Sequence, residues 1–301
     1  MKGVFPILST PFDSEDNIVF EDVQSEVDYA VKAGVNGIAI ALASEIYKLT
    51  DHERYELLEK VVEYSGGRIK VCMNTTAEST KQCIEYSKKA EDLGADAVMI
   101  APPSFNGVDQ SEVKKYFINT AKNINIPIFM QDVFDTPISP EMAVQLSNEH
   151  PNLKYLKVEV APTIPRFNKL KELSQNGIPI PFGGMGGIFM IEEMRRGSVG
   201  TMPVCAFPEM FVKVFNLWEE GKKVEAEEYF HNYVPLIRTL GQGLGIWNWL
   251  PKYILKKRGI FNHFNARQPS LKPDSDQLYL SLIHISEPTR PRLLAYAVFC
   301  L

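Results

Sequence analysis

The sequence predicts an α/β chain folded as a (β/α)8 TIM barrel with a C-terminal helical extension, and three observations carry that prediction. Short β-rich apolar runs recur along the chain, eight of them, at a spacing of roughly 20–35 residues. Amphipathic helical stretches alternate with them. The turn after the first run, "STPFDSEDN", contains no glycine, so the Gly-rich phosphate turn that opens a doubly wound sheet is missing.

In order, the expected strands are "VFPILSTPF" from Val4, "GIAIAL" from Gly37, "IKVCMN" from Ile69, "AVMIAPP" from Ala97, "PIFMQDV" from Pro127, "LKYLKVE" from Leu153, "IPIPFGG" from Ile178 and "GTMPVC" from Gly200. Between them lie helical patterns such as "FEDVQSEVDYAVKAG", "DHERYELLEKVVEYSGG" and "STKQCIEYSKKAEDLGA"; the last two open on acidic or hydroxyl residues and stop at glycine, as helix caps require. After the eighth strand come "EMFVKVFNLWEEG", "KVEAEEYFHNYVPLIRTLG" and "IWNWLPKYILKKRG". No composition shift marks a linker. The barrel is therefore expected over residues 1–220, with residues 221–279 adding helices to the same domain.

The tail reads differently. Leu280 to Arg290, "LSLIHISEPTR", matches the translation of a transposase sequencing adapter, and "YAVFCL" resembles the other end of such a library fragment. Residues 280–301 are accordingly expected to be read-through rather than native protein, and stay outside the fold argument. Resequencing the source locus tests this.

Bulk properties exclude several function classes. A net charge of −5 with no long basic run leaves no electrostatic footprint for nucleic acid. The longest apolar runs fall short of the roughly 20 residues that span a bilayer, so no membrane association is expected. The five histidines are scattered without HxH or HExxH spacing, which argues against a metal site, and no cofactor motif stands out. Cys72, Cys83, Cys205 and Cys300 show no CxxC spacing and read as free thiols of a reducing cytoplasm.

Chemistry enters at "YLKVEV", Tyr155 to Val160. Alternate side chains of a barrel strand face the interior and the helix layer. The helices need aliphatic partners, so Leu156 and Val158 should face outward and Tyr155, Lys157 and Glu159 inward. Lys157 then stands near the C-terminal end of its strand, the face where barrel enzymes place their chemistry. An inward lysine there is a candidate nucleophile that attacks a carbonyl carbon to form a Schiff base. A Lys157–Glu159 ion pair that merely closes the barrel core is the alternative from spacing alone.

These segments together resemble the dihydrodipicolinate synthase/N-acetylneuraminate lyase family. The resemblance runs from Lys2 to Asp274 through "VFPILSTPF", "LASEIYKLTDHER", "APPSFNG", "YLKVEV", "GGMGG", "GTMPVCAFPE" and "ARQP". It implies a class I lyase or aldolase acting on a 2-oxo acid such as pyruvate or a 2-oxo-3-deoxy sugar acid, without a cofactor, and a homotetramer built from dimers. The family's Schiff-base lysine falls on Lys157. Its Gly-Thr-Thr-Gly-Glu carboxylate-binding segment falls on "ALASE", Ala41 to Glu45, where only the glutamate is kept. Its Tyr-Tyr-Asn stretch falls on Ser104, Phe105 and Asn106, and its fifth-strand tyrosine on Gln131. The chain is thus expected to lack the tyrosine that relays protons.

An imine enzyme needs an amine, a grip for the carboxylate and a proton carrier. Lys157 is the amine. Backbone N–H groups and the hydroxyl around Ala43 and Ser44 are the expected grip. Glutamine does not shuttle protons, so Gln131 orients by hydrogen bonds, while Glu159, Glu45 or Asp132 are the candidates for acid–base work. Glu45 and Asp132 read equally as structural carboxylates. Asn74 and Phe105 are further candidate contacts, Gly184 lets the backbone approach a ligand, and Met202 should line an apolar wall. Two other readings stay open: a non-catalytic 2-oxo acid binding protein on this scaffold, and a phosphate-binding barrel isomerase using the glycines after strand seven and "RRGSVGT".

Overall fold

The computed structural model describes residues 1–104, 107–174 and 176–286. Eight parallel strands form one sheet: β1 (Gly3–Val4), β2 (Gly37–Ile40), β3 (Lys70–Asn74), β4 (Ala97–Ile100), β5 (Ile128–Asp132), β6 (Tyr155–Val158), β7 (Ile180–Gly186) and β8 (Gly200–Pro203). Their order is β1-β8-β7-β6-β5-β4-β3-β2, and Ile7 bridges both Ala39 and Val204 to close the ring. The first strand is shorter than its sequence suggested. Pro6 has no N–H to give to a ladder, so only its carbonyl pairs, accepting from Ala39 N at 2.9 Å.

Helices α1 (Phe20–Ala33), α2 (Asp51–Ser65), α3 (Thr80–Asp92), α4 (Gln110–Ala121), α5 (Pro140–Glu149), α6 (Thr163–Leu173) and α7 (Met190–Met194) alternate with the strands. Local chemistry sets their ends. Thr50 caps α2 reciprocally with Glu53, whose carboxylate accepts from Thr50 N at 2.8 Å. Ser79 and Ser139 accept from the N–H groups of Gln82 and Met142 at the starts of α3 and α5. After the barrel come α8 (Pro208–Glu219), α9 (Lys223–His231), α10 (Val234–Leu240), α11 (Leu244–Lys257) and α12 (Ser275–Ser286). The stretch "KVEAEEYFHNYVPLIRTLG" thus forms two helices, α9 and α10, rather than one. Pro235 sits in the first turn of α10, where a missing N–H costs nothing, whereas a continuous helix would need it. Of the tail 280–301, residues from 287 onward lie outside the described residues.

Strand parity divides the core. Leu156 and Val158 pack outward with the aliphatics under α1–α6. Phe5, Ala39, Met99, Phe129, Tyr155, Phe182 and Met202 fill the interior. Phe129 and Tyr155 stack with ring centroids 4.5 Å apart, and Phe182 meets Phe129 edge-on at 5.1 Å. This aromatic plug fills the lower barrel, and a cavity opens toward the strands' C-terminal ends.

Candidate active site

The cavity, about 200 Å³, lies above the aromatic plug. Gln131 and Lys157 are register partners on β5 and β6 and stand side by side on its floor. Lys157 is only 3% exposed, and its Nζ lies 3.0 Å from Glu159 Oε1. The Gln131 amide donates to Glu159 Oε2 at 2.7 Å, while its carbonyl oxygen accepts from Asn74 Nδ2 at 3.2 Å. The Met185 backbone N–H donates to Glu159 Oε1 at 3.2 Å. A carboxylate held by an ammonium, an amide and a backbone N–H keeps one orientation, and here it is aimed at the amine.

Glu159 fits because of what is missing beside it. A Cβ on Gly184 would lie 2.3 Å from Glu159 Cγ. Gly184 therefore makes room for the carboxylate arm rather than lining the cavity as expected.

Of the candidate residues, the structure brings Lys157, Gln131, Glu159, Ala43 and Met202 together around the cavity. Several others are placed elsewhere. Asn74 touches Gln131 from behind and is buried below the floor. The Ser44 hydroxyl donates to the Leu8 carbonyl and accepts from Ala41 N at 3.1 Å, so it ties the loop together instead of facing a ligand. Glu45 is sealed from solvent, paired with Lys252 and, at 2.9 Å, with Lys48. Asp132 has the opposite parity to Gln131 and points outward, where Arg166 grips it through Nε at 2.7 Å and Nη2 at 2.8 Å and Ile138 N donates at 2.9 Å. Burial nonetheless pushes the Asp132 carboxyl up to about 6, against the pull of Arg166 and of the loop N–H. Phe105 and Asn106 lie outside the described residues.

Other lining residues are not singled out one by one in the sequence. Val133 and Phe134 follow β5 directly, Met185 and Gly186 sit within "GGMGG", and Leu244 and Trp247 descend from α11. The first four fall in or directly after segments already singled out. The two from α11 belong to a segment whose approach to the barrel mouth is a tertiary fact, with no local signal beyond an aromatic-rich amphipathic helix. No group of histidine, cysteine, aspartate and glutamate suited to a metal occurs among the described residues, and no helix there is long and apolar enough to cross a membrane.

Residues 1–284 match the model of the dihydrodipicolinate synthetase family. The chain is similar to an L-2-keto-3-deoxyarabonate dehydratase of Azospirillum brasilense, with 26% identity over 95% of each chain. It is 30% identical to a 4-hydroxy-tetrahydrodipicolinate synthase of Methanococcus maripaludis over 80% of this chain and 83% of the relative. Among solved structures, the dihydrodipicolinate synthase of Rhodopseudomonas palustris superposes with a TM-score of 0.87 at 26% identity, covering 95% of this chain and 97% of the other.

Proposed function

We propose, from the premise that the chain belongs to the dihydrodipicolinate synthetase family, that it is a Schiff-base lyase or dehydratase acting on a 2-oxo acid through Lys157. The observation that carries this reading is the Lys157 amine, buried yet opening on a cavity and held 3.0 Å from a carboxylate. The relatives named as a keto-deoxyarabonate dehydratase and a 4-hydroxy-tetrahydrodipicolinate synthase support a substrate such as pyruvate or a 2-oxo-3-deoxy sugar acid.

Glu159 takes a proton from the Lys157 ammonium, and the freed amine adds to the substrate's C2 carbonyl. Glu159 returns the proton to the carbinolamine oxygen, which leaves as water to give the imine. Loss of a C3 proton to the same carboxylate yields an enamine. The enamine then expels a β-hydroxyl, which leaves as water with the proton held by Glu159, or adds through C3 to an aldehyde. In the cleavage direction the protonated imine instead takes up the electrons of the C3–C4 bond and becomes the enamine, with the C4 hydroxyl proton passing to a base. Water finally releases the product from Lys157. Glu159 stands in for a proton-relaying tyrosine, with Gln131 at the tyrosine's position orienting it through the 2.7 Å hydrogen bond. In the loop after β2, the N–H groups of Ala41, Ser44 and Glu45 are engaged within the turn. Leu42 and Ala43 face the cavity, and their N–H groups receive the substrate carboxylate.

Borohydride reduction in the presence of pyruvate tests the reading. Peptide mass measurement should find a reduced adduct on Lys157. Its absence with a broad panel of 2-oxo acids, or its appearance on another lysine, overturns it.

A further inference from the structure

We propose that the substrate beyond its reacting 2-oxo carbons is apolar, and preferentially aromatic. This rests on the imine reading above and narrows its substrate class. The apolar wall of the cavity is built from Val133, Met185, Pro203, Leu244 and Trp247. Phe134, at the rim, is 80% exposed, an aromatic ring left in water beside an apolar opening. The Trp247 indole stands beside Gly186: a Cβ there would be in ordinary contact with it, 3.5–3.7 Å from three indole atoms.

The amide and carboxylate side chains in the lining are already committed, to each other and to Lys157, Asn74 and a backbone N–H. Gln131 uses its amide on Glu159 and its carbonyl oxygen on Asn74, and Glu159 binds Lys157, Gln131 and Met185 N. Lys157 and Glu159 are the charged side chains lining the cavity among the described residues, and they pair with each other. A sugar-acid chain carries a hydroxyl on successive carbons, and each one taken from water without a partner weakens binding by roughly tenfold. A second carboxylate or a phosphate would meet no cation on that wall. A phenyl or branched alkyl group meets only surface that gains by covering it.

The test is equilibrium binding of two 2-oxo acids, 2-oxo-4-phenylbutyrate and a 2-oxo-3-deoxypentonate, measured calorimetrically on the full chain. The phenyl ligand should bind about tenfold more tightly. Trp247→Ala and Val133→Asn should each lower that ratio by about tenfold, and Val133→Asn reads the same wall if the tryptophan variant fails to fold. Equal or tighter binding of the pentonate, no binding of either ligand, or an unchanged ratio in a folded variant overturns the inference. Borohydride trapping with the same ligands separates it from the reading it rests on. Preference for phenyl without any Lys157 adduct sinks the imine alone, and an adduct with the preference reversed sinks the apolar substrate alone.

Discussion

Lys157 and Lys252 are both removed from solvent, 3% and 0% exposed, and each ends on a glutamate. Their surroundings differ. Lys252, on α11, is enclosed by Glu45, the Asn265 carbonyl at 2.9 Å and the face of Phe12, whose ring centroid is 4.6 Å away. Its glutamate is also held by Lys48 and by Arg267 N. Lys157 has Glu159 and then a cavity. A buried lysine–glutamate pair is therefore no sign of catalysis by itself. What distinguishes a reactive amine is room for a carbonyl carbon to reach it, while the sealed pair pins α11 to the loop that follows β2.

The sharpest way to break this contrast is to remove each amine. Lys157→Ala should abolish the trapped imine and cut turnover on the order of a thousandfold or more, whereas Lys252→Met should retain the adduct in the fraction that folds. Chemical denaturation should reverse the ranking. Lys252→Met leaves the fully buried Glu45 with Lys48 and Arg267 N alone and should cost about 2 kcal/mol, against less than about 1 kcal/mol for Lys157→Met, whose partly exposed glutamate keeps Gln131 and Met185 N and opens on the cavity. Next, Glu159→Gln should slow imine formation by about a hundredfold in single-turnover trapping with little change in unfolding midpoint, because the amide cannot carry the proton.

The smallest effect concerns pH. Burial lowers the Lys252 ammonium from 10.5 to about 8 in spite of Glu45. Above pH 8 the unfolded chain then holds a proton that the folded chain has released, so this lysine's contribution to stability rises from pH 8 to 10.5 and is lost as pH falls through 8. Unfolding free energies measured across that window should rise for the wild type relative to Lys252→Met by about 1–3 kcal/mol. A flat difference would mean that the pair does not titrate there.

The barrel was legible because periodicity speaks for itself: eight apolar runs, their caps and their spacing follow from local chemistry. Inward placement of Lys157 followed from parity alone, since a helix layer needs Leu156 and Val158. Asp132 shows where residue type misleads. It sits beside Gln131 in sequence, but alternation turns it outward to Arg166, a partner on α6 that no local pattern announces. Ser44 and Glu45 matched a binding segment by position, yet the loop's own hydrogen bonds and a lysine from α11 claim their side chains. At Gly184 the missing side chain leaves room for Glu159, a neighbour that only the folded chain supplies. What stayed hidden depends on contacts between distant segments, Trp247 above all.

The origin of that tryptophan has a consequence for timing. The strands bearing Gln131 and Lys157 precede α11 in the chain, so synthesis makes the floor of the cavity before the helix that brings Leu244 and Trp247 to it. A chain stopping short of α11 would keep the strand that carries Lys157 but lack both this part of the lining and the Lys252 partner of Glu45.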